Sequence, residues 1–311
     1  MAILVAADFN EAEWAAWWPA LAAALPGEQL VRSGAQAPRA LIDVALVANP
    51  PLGALQGLPQ LHFIQSLWAG VDRLLLDPSV PAGVPLARMV DPLMNTAMAE
   101  TALWAVTGLH RHFFDYASQQ RVAHWRQHAQ RRADEISVAV LGLGQMGRAA
   151  AQTLARRGYR VAGWSANPAV VEEVITANGD AALPAVLAAA HIVVNLLPLT
   201  PATQALFSAQ TLAQMRAGAS FVNLARGAQV VDADLLAALD RGHLQRAVLD
   251  TFVIEPLPAD HRYWHHPQVT VLPHVAAQTD PRSAALVAAA NVRAFRAGRA
   301  PTGLVDRTRG Y

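Results

Sequence analysis

Three polar residues each stand at or soon after the end of a short apolar run. They are Arg226 in Asn223-Leu224-Ala225-Arg226-Gly227, Glu255 a few positions past Leu249-Asp250-Thr251-Phe252, and His274 in Leu272-Pro273-His274-Val275. An imidazole titrates near ~6.5, so it exchanges a proton at neutral pH, and a carboxylate beside it orients the ring and favours its protonated form. A guanidinium offers a planar fork of donors that grips a carboxylate and polarises a neighbouring carbonyl. Such a set suits reduction of a keto acid, in which the carbonyl carbon takes a hydride, the developing alkoxide takes a proton, and the carboxylate needs a cation. An isolated arginine after a strand is usually solvated and an isolated Pro-His is usually a turn, so the weight lies in their joint occurrence.

A hydride calls for a nicotinamide dinucleotide, and Gly142-Leu143-Gly144-Gln145-Met146-Gly147 has the G-x-G-x-x-G pattern that holds one. It follows the apolar run Val138-Ala139-Val140-Leu141 and opens a helical segment over residues 148–157. In that setting Gly142 permits the tight turn, Gly144 lets the backbone approach a pyrophosphate, and Gly147 lets helix and strand pack closely. The next strand should end in a ribose-binding carboxylate, but it ends in Ser165-Ala166-Asn167. With no acid there to repel a 2′-phosphate, NADP(H) is favoured and NAD(H) is admitted. Arg148 and Arg160 are the nearest cations in sequence.

The elements that must position these residues are short apolar runs alternating with helical segments, the pattern of a parallel sheet flanked by helices. In the first third, strands are expected over residues 2–6, 44–47 and 61–65, with a helix over 11–25 whose Trp14, Trp17 and Trp18 share one face and read as core packing. After Arg131-Arg132-Ala133-Asp134-Glu135 a second series begins, with strands over 136–141, 160–164, 191–197, 220–224, 247–249 and 269–272. A last helix over about 281–297 leaves too little chain for a third domain and returns to the first. The fold class is α/β, with two doubly wound parallel-sheet (Rossmann-like) domains and a cleft between them. The boundaries read as 1–98 completed by 277–311, flavodoxin-like, and 99–276, dinucleotide-binding.

Composition narrows the chemistry further. The 311 residues contain no cysteine, so thiolate nucleophiles, thiolate metal sites and disulfides are excluded. All 24 basic residues are arginine, which excludes a P-loop lysine, a Schiff base and a lysine general base. A net charge of +1 with 15% charged residues gives no basic field for nucleic acid. No apolar stretch approaches the ~18 residues needed to span a bilayer, and the N-terminal residues lack a signal-peptide pattern, so the expected place is the cytoplasm. His261, His265 and His266 cluster without a matching carboxylate pattern and read as a polar loop; no metal is expected.

In this order, the glycine loop and the three segments around Arg226, Glu255 and His274 resemble the D-2-hydroxyacid dehydrogenase family over nearly the whole chain. Within it the resemblance is to the glyoxylate/hydroxypyruvate reductase A type, through Asn195-Leu196-Leu197-Pro198, Ala87-Arg88-Met89-Val90-Asp91-Pro92 and the segment from Val305-Asp306-Arg307 to Gly310-Tyr311. It implies an NAD(P)-dependent enzyme that reduces a small 2-keto acid such as glyoxylate or hydroxypyruvate, with Arg226, Glu255 and His274 catalytic and His274 the proton donor. It places loop 67–72 over the substrate, with Trp68, Ala69, Gly70 and Arg226 binding it. It also puts Pro198, Thr200 and Thr203 on a loop facing the cofactor and Asp250 near the nicotinamide carboxamide. Residues 112–125 resemble the arm by which members form homodimers, and His110 and His112 are expected to face solvent or a partner subunit. Two departures bear on the substrate: Ala48 stands where the reductase type has tryptophan, and Trp68 where it has a small residue. The alternative is a corepressor-like or sensor protein that binds NAD(H) without turnover, against which the retained catalytic set counts. A formate-acting relative would carry glutamine in place of Glu255.

Overall fold

The structure is a computed structural model that describes residues 1–32 and 38–311. The chain forms two compact units, Met1–Met94 with Thr279–Tyr311, and Asn95–Gln278.

The first unit contains a five-stranded parallel sheet built from β1 (Ala2–Ala7), β2 (Gln29–Arg32), β3 (Ile42–Ala48), β4 (Phe63–Ser66) and β5 (Leu86–Ala87), in the order β2-β1-β3-β4-β5. That is the flavodoxin-like order. β3 is buried at every position, as a central parallel strand must be when both faces are covered. Helix α1 (Glu11–Ala24) starts with a capping box, in which the Asn10 side chain accepts from the Glu13 amide at 2.9 Å and the Glu13 carboxylate accepts from the Asn10 amide at 2.8 Å. Of its three tryptophans only Trp17 enters the core; Trp14 and Trp18 are half-buried beneath the Arg32 guanidinium, 4.3 and 5.0 Å from the ring centroids. The core reading therefore holds for Trp17 and gives way to a cation–π contact at the other two.

After β4 the chain turns through residues 67–70 into α2 (Asp72–Leu76). Ser66 shapes this turn, its hydroxyl donating to the Trp68 carbonyl at 2.9 Å and accepting from the Trp68 amide at 3.1 Å. The Met89 amide also reaches the Trp68 carbonyl, at 3.0 Å. The Trp68 ring lies edge-on to Trp17 at 5.6 Å and to Phe9 at 6.0 Å, so it anchors the turn to α1.

The chain passes into the second unit within α3 (Pro92–His110), followed by α4 (Phe113–Arg121). His110 bonds the Tyr159 hydroxyl at 3.1 Å and the Arg131 carbonyl at 2.8 Å, while His112 bonds Asp115 at 2.9 Å and stacks on His128 at 4.6 Å. Both rings are thus hydrogen-bonded within the unit while staying half-buried.

The seven-stranded sheet consists of β6 (Ser137–Leu141), β7 (Arg160–Ser165), β8 (Ile175–Asn178), β9 (Ile192–Asn195), β10 (Ala219–Asn223), β11 (Leu244–Leu249) and β12 (Val269–Val271). All pairings are parallel, in the order β12-β11-β10-β9-β6-β7-β8. Helices α5 (Gln145–Arg156), α6 (Leu183–Ala189), α7 (Ala209–Gln214) and α8 (Asp232–Asp240) connect them. The strand order reverses between β6 and β9, and in such a sheet ligands bind beyond the strand C-termini at this point. β2, β5 and β8, which the apolar pattern did not reveal, are short edge strands; β8 has no fully buried residue.

The final helix α9 (Pro281–Arg296) completes the first unit. Its buried Asn291 amide donates to Gln65 Oε1 at 2.7 Å and to the Thr302 carbonyl at 2.9 Å, and Arg296 pairs with Glu28 at 3.1 Å and with the buried Asp43. Beyond it the tail follows β5, with the Val305 amide bonded to the Leu86 carbonyl and the Arg88 amide to the Gly303 carbonyl, each at 2.8 Å.

Candidate active site

At the switch point β6 delivers the chain into the glycine loop and α5. Gly142 has φ of 96°, and a Cβ there would sit 2.5 Å from the Leu196 carbonyl oxygen. A Cβ on Gly147 would be 1.7 Å from the Gly142 carbonyl oxygen, whereas one on Gly144 would meet nothing within 4 Å. Two glycines therefore allow the loop and helix to close on the sheet, and the third leaves an open cradle. The first amides of α5, at Gln145 and Met146, have no intrahelical acceptor and are suited to an anion. The cradle and these donors fit a dinucleotide pyrophosphate.

Beside the loop lies a buried amide network that the sequence reading did not anticipate. Asn195 and Asn223 are register partners at the ends of β9 and β10, and with Gln229 all three side chains are sealed from solvent. Asn195 donates to Asn223 Oδ1 at 2.9 Å and to Gln229 Oε1 at 2.8 Å; Asn223 donates to the Arg226 carbonyl at 3.1 Å. Gln229 accepts from the Arg226 amide at 3.3 Å and donates to the Leu197 and Pro198 carbonyls at 3.2 and 2.9 Å. Thr203 completes the fixing of residues 198–203, its hydroxyl donating to the Pro198 carbonyl at 2.6 Å and accepting from the Thr200 amide at 2.8 Å. Gly227 is equally constrained, since a Cβ there would lie 2.0 Å from the Phe252 carbonyl carbon. The available signal was an asparagine closing two successive apolar strands; Gln229 and Gly227 gave none.

The three expected catalytic residues all leave the same edge of this sheet. Arg226 follows β10, half-buried, with Nη1 donating to the Ala225 carbonyl at 2.8 Å. His274 follows β12 and Glu255 follows β11, and the structure joins them: His274 Nδ1 is 2.8 Å from Glu255 Oε2. Glu255 Oε1 accepts from the Phe252 amide at 2.9 Å. Burial pushes the Glu255 carboxyl up, but the His274 hydrogen bond, the Phe252 amide and the charges of His274 and Arg226 outweigh it and hold the group below the ordinary carboxylate range.

Asp250 shapes the segment that carries His274. Its carbonyl accepts from the His274 amide at 2.9 Å, and its buried carboxylate accepts from the amides of Val275 and Ala276 at 2.7 and 3.0 Å. Ser165 closes β7 with its hydroxyl donating to the Asn167 carbonyl at 2.6 Å. Trp68, Ala69 and Gly70 belong to the first unit, in the turn after β4. His261 lies 3.5 Å from Asp232 and His266 3.2 Å from Asp240, and no group of three or more possible metal ligands occurs among the described residues.

A parallel sheet that reverses beside a glycine loop, with an imidazole–carboxylate pair and an arginine on the same strand ends, defines a nicotinamide-dependent oxidoreductase. Residues 103–276 match the family described as D-isomer specific 2-hydroxyacid dehydrogenase, NAD binding domain, and the chain belongs to that family. It is 39% identical over 308 residues, 97% of each chain, to glyoxylate/hydroxypyruvate reductase A of Serratia proteamaculans. Among solved structures it is similar to a D-isomer specific 2-hydroxyacid dehydrogenase from Xanthobacter autotrophicus in complex with NADPH and MES, with a TM-score of 0.95 and 39% identity over 100% of this chain and 99% of that one. A further likeness is to an NADPH-dependent glyoxylate/hydroxypyruvate reductase from Sinorhizobium meliloti in complex with NADP and sulfate, with a TM-score of 0.92 and 35% identity over the same shares.

Proposed function

We propose that the chain reduces a small 2-keto acid, glyoxylate and hydroxypyruvate among them, to the 2-hydroxy acid with NADPH. The observation that carries this reading is the His274–Glu255 pair at 2.8 Å, on the same sheet edge as Arg226 and the glycine loop. The names of the relatives agree with it. Bound at Gly142, Gly144 and Gly147, the dinucleotide supplies the hydride. Arg226 holds the substrate carboxylate and polarises the carbonyl. With Nδ1 committed to Glu255, His274 presents Nε2 as general acid, giving its proton to the oxygen as the carbonyl carbon takes the hydride. Glu255 keeps the ring oriented and offsets its positive charge. We assign further hold on the substrate to the amides of Ala69 and Gly70, placed by Trp68, and hold on the nicotinamide end to Asp250 and the segment of Pro198, Thr200 and Thr203.

We place the reaction in the cytoplasm, where reduced nicotinamide is supplied; none of the described helices is long and apolar enough to cross a membrane. A homodimer through residues 112–125 is supported by the exposed apolar Phe113, Val122 and Trp125, the last 92% exposed. Sedimentation equilibrium tests that assembly. The activity is tested by loss of the reduced-nicotinamide absorbance with NADPH and each keto acid. Tight cofactor binding with no oxidation across a keto-acid panel would replace the enzyme by an NAD(H) sensor.

A further inference from the structure

The segment leaving β7 is held from two sides. Ser165 bonds the Asn167 carbonyl, and from α5 the Arg148 Nη1 donates to the Val170 carbonyl at 2.5 Å. Arg148 is the residue after Gly147, in the first turn of α5, so its guanidinium reaches the sheet edge at which β7 ends. In this fold a dinucleotide seated on the glycine loop presents its adenosine ribose there.

We propose that Arg148 reads the 2′-phosphate of NADPH, exchanging the Val170 carbonyl for the phosphate while Ser165 and Asn167 add neutral hydrogen bonds. This rests on the NADPH reading above. With no lysine in the chain, the cation has to be an arginine. Of the arginines on α5 and β7, Arg156 is eight residues further along the helix, about 12 Å of rise, and pairs with Glu173 at 3.4 Å. Arg157 lies beyond it at the helix end. Arg160 opens β7, roughly 16 Å from Ser165 along the strand, and donates to the Glu135 carbonyl at 3.1 Å. Only Arg148 stands at the right end. Its present partner is easily given up, because Val170 is 87% exposed and water can replace the guanidinium on its carbonyl. Charge-assisted bonds to a phosphate are roughly twice as strong as a neutral one, and the guanidinium fork matches two phosphate oxygens.

The experiment measures binding of 2′,5′-ADP and of ADP by calorimetry to the wild type, Arg148→Gln and Arg148→Lys, with circular dichroism confirming each fold. Wild type should prefer 2′,5′-ADP. Arg148→Gln should weaken 2′,5′-ADP by about tenfold to a hundredfold and ADP by much less, and Arg148→Lys should recover part of the loss. A glutamine variant that keeps the preference would overturn the assignment to Arg148 while leaving the NADPH reading intact. A lysine variant as weak as the glutamine one would overturn the role given to charge. A wild type without preference would remove the NADPH reading and this proposal together.

Discussion

His274 sits in the left-handed region with φ of 55°, a conformation that a residue with a Cβ adopts only when its surroundings enforce it. Here the Asp250 carbonyl and carboxylate enforce it through three successive amides. His274→Ala should lower kcat by about 10²- to 10⁴-fold and leave the Kd for NADPH nearly unchanged, since only proton transfer and alkoxide stabilisation depend on the ring. Near-normal turnover would remove it from the chemistry. The depressed Glu255 sets a second expectation. A carboxyl whose folded value lies below its unfolded one contributes stability in full above the unfolded value, near ~4.3, and loses it as pH falls through the folded value. The same direction keeps Glu255 ionised, and so able to orient His274, to below ~4.3, so an acid limb of kcat/KM that reports its protonation should set in below that value and be absent in Glu255→Gln. A wild-type limb centred well above that range would show that another group governs it.

At the scale of elements, the catalytic arginine depends on side chains that never meet substrate. Gln229 links the backbone of Arg226 to the carbonyls of Leu197 and Pro198, so Gln229→Ala leaves buried amide and carbonyl groups without partners. That should cost about 2–4 kcal/mol of stability and raise KM for the keto acid more than it raises Kd for the dinucleotide. A melting temperature within a degree of wild type would contradict it. Gln229 also marks where reading a sequence stops. Arg226, Glu255 and His274 were legible because each follows an apolar run, and the central strands because their runs are continuous. β11 was read as residues 247–249, whereas it runs Leu244–Leu249, because Arg246 looks like a solvated residue. It is buried, paired with Asp115 at 2.7 Å across 131 residues of sequence. Partners that distant leave no local trace, and the same holds for Gln229 and for Gly227 against Phe252.

At the scale of the whole molecule, one topological detail stands apart. Every named strand pairs in parallel, yet Leu304 bridges Ala87 in the antiparallel sense, laying the tail along the outer side of β5. An open strand edge is a template on which another chain can add itself, and proteins guard such edges against it. Residues 303–305 are the guard for this sheet, tied in place by Thr302 on the Asn291 side chain. Deleting residues 302–311 should then uncover the outer edge of β5, the Leu86 carbonyl and the Arg88 amide among its unpaired groups, and turn a well-behaved protein into one that self-associates. Light scattering during gentle warming would show it, with aggregation beginning before the loss of helical signal in the shortened chain and together with it in the intact one.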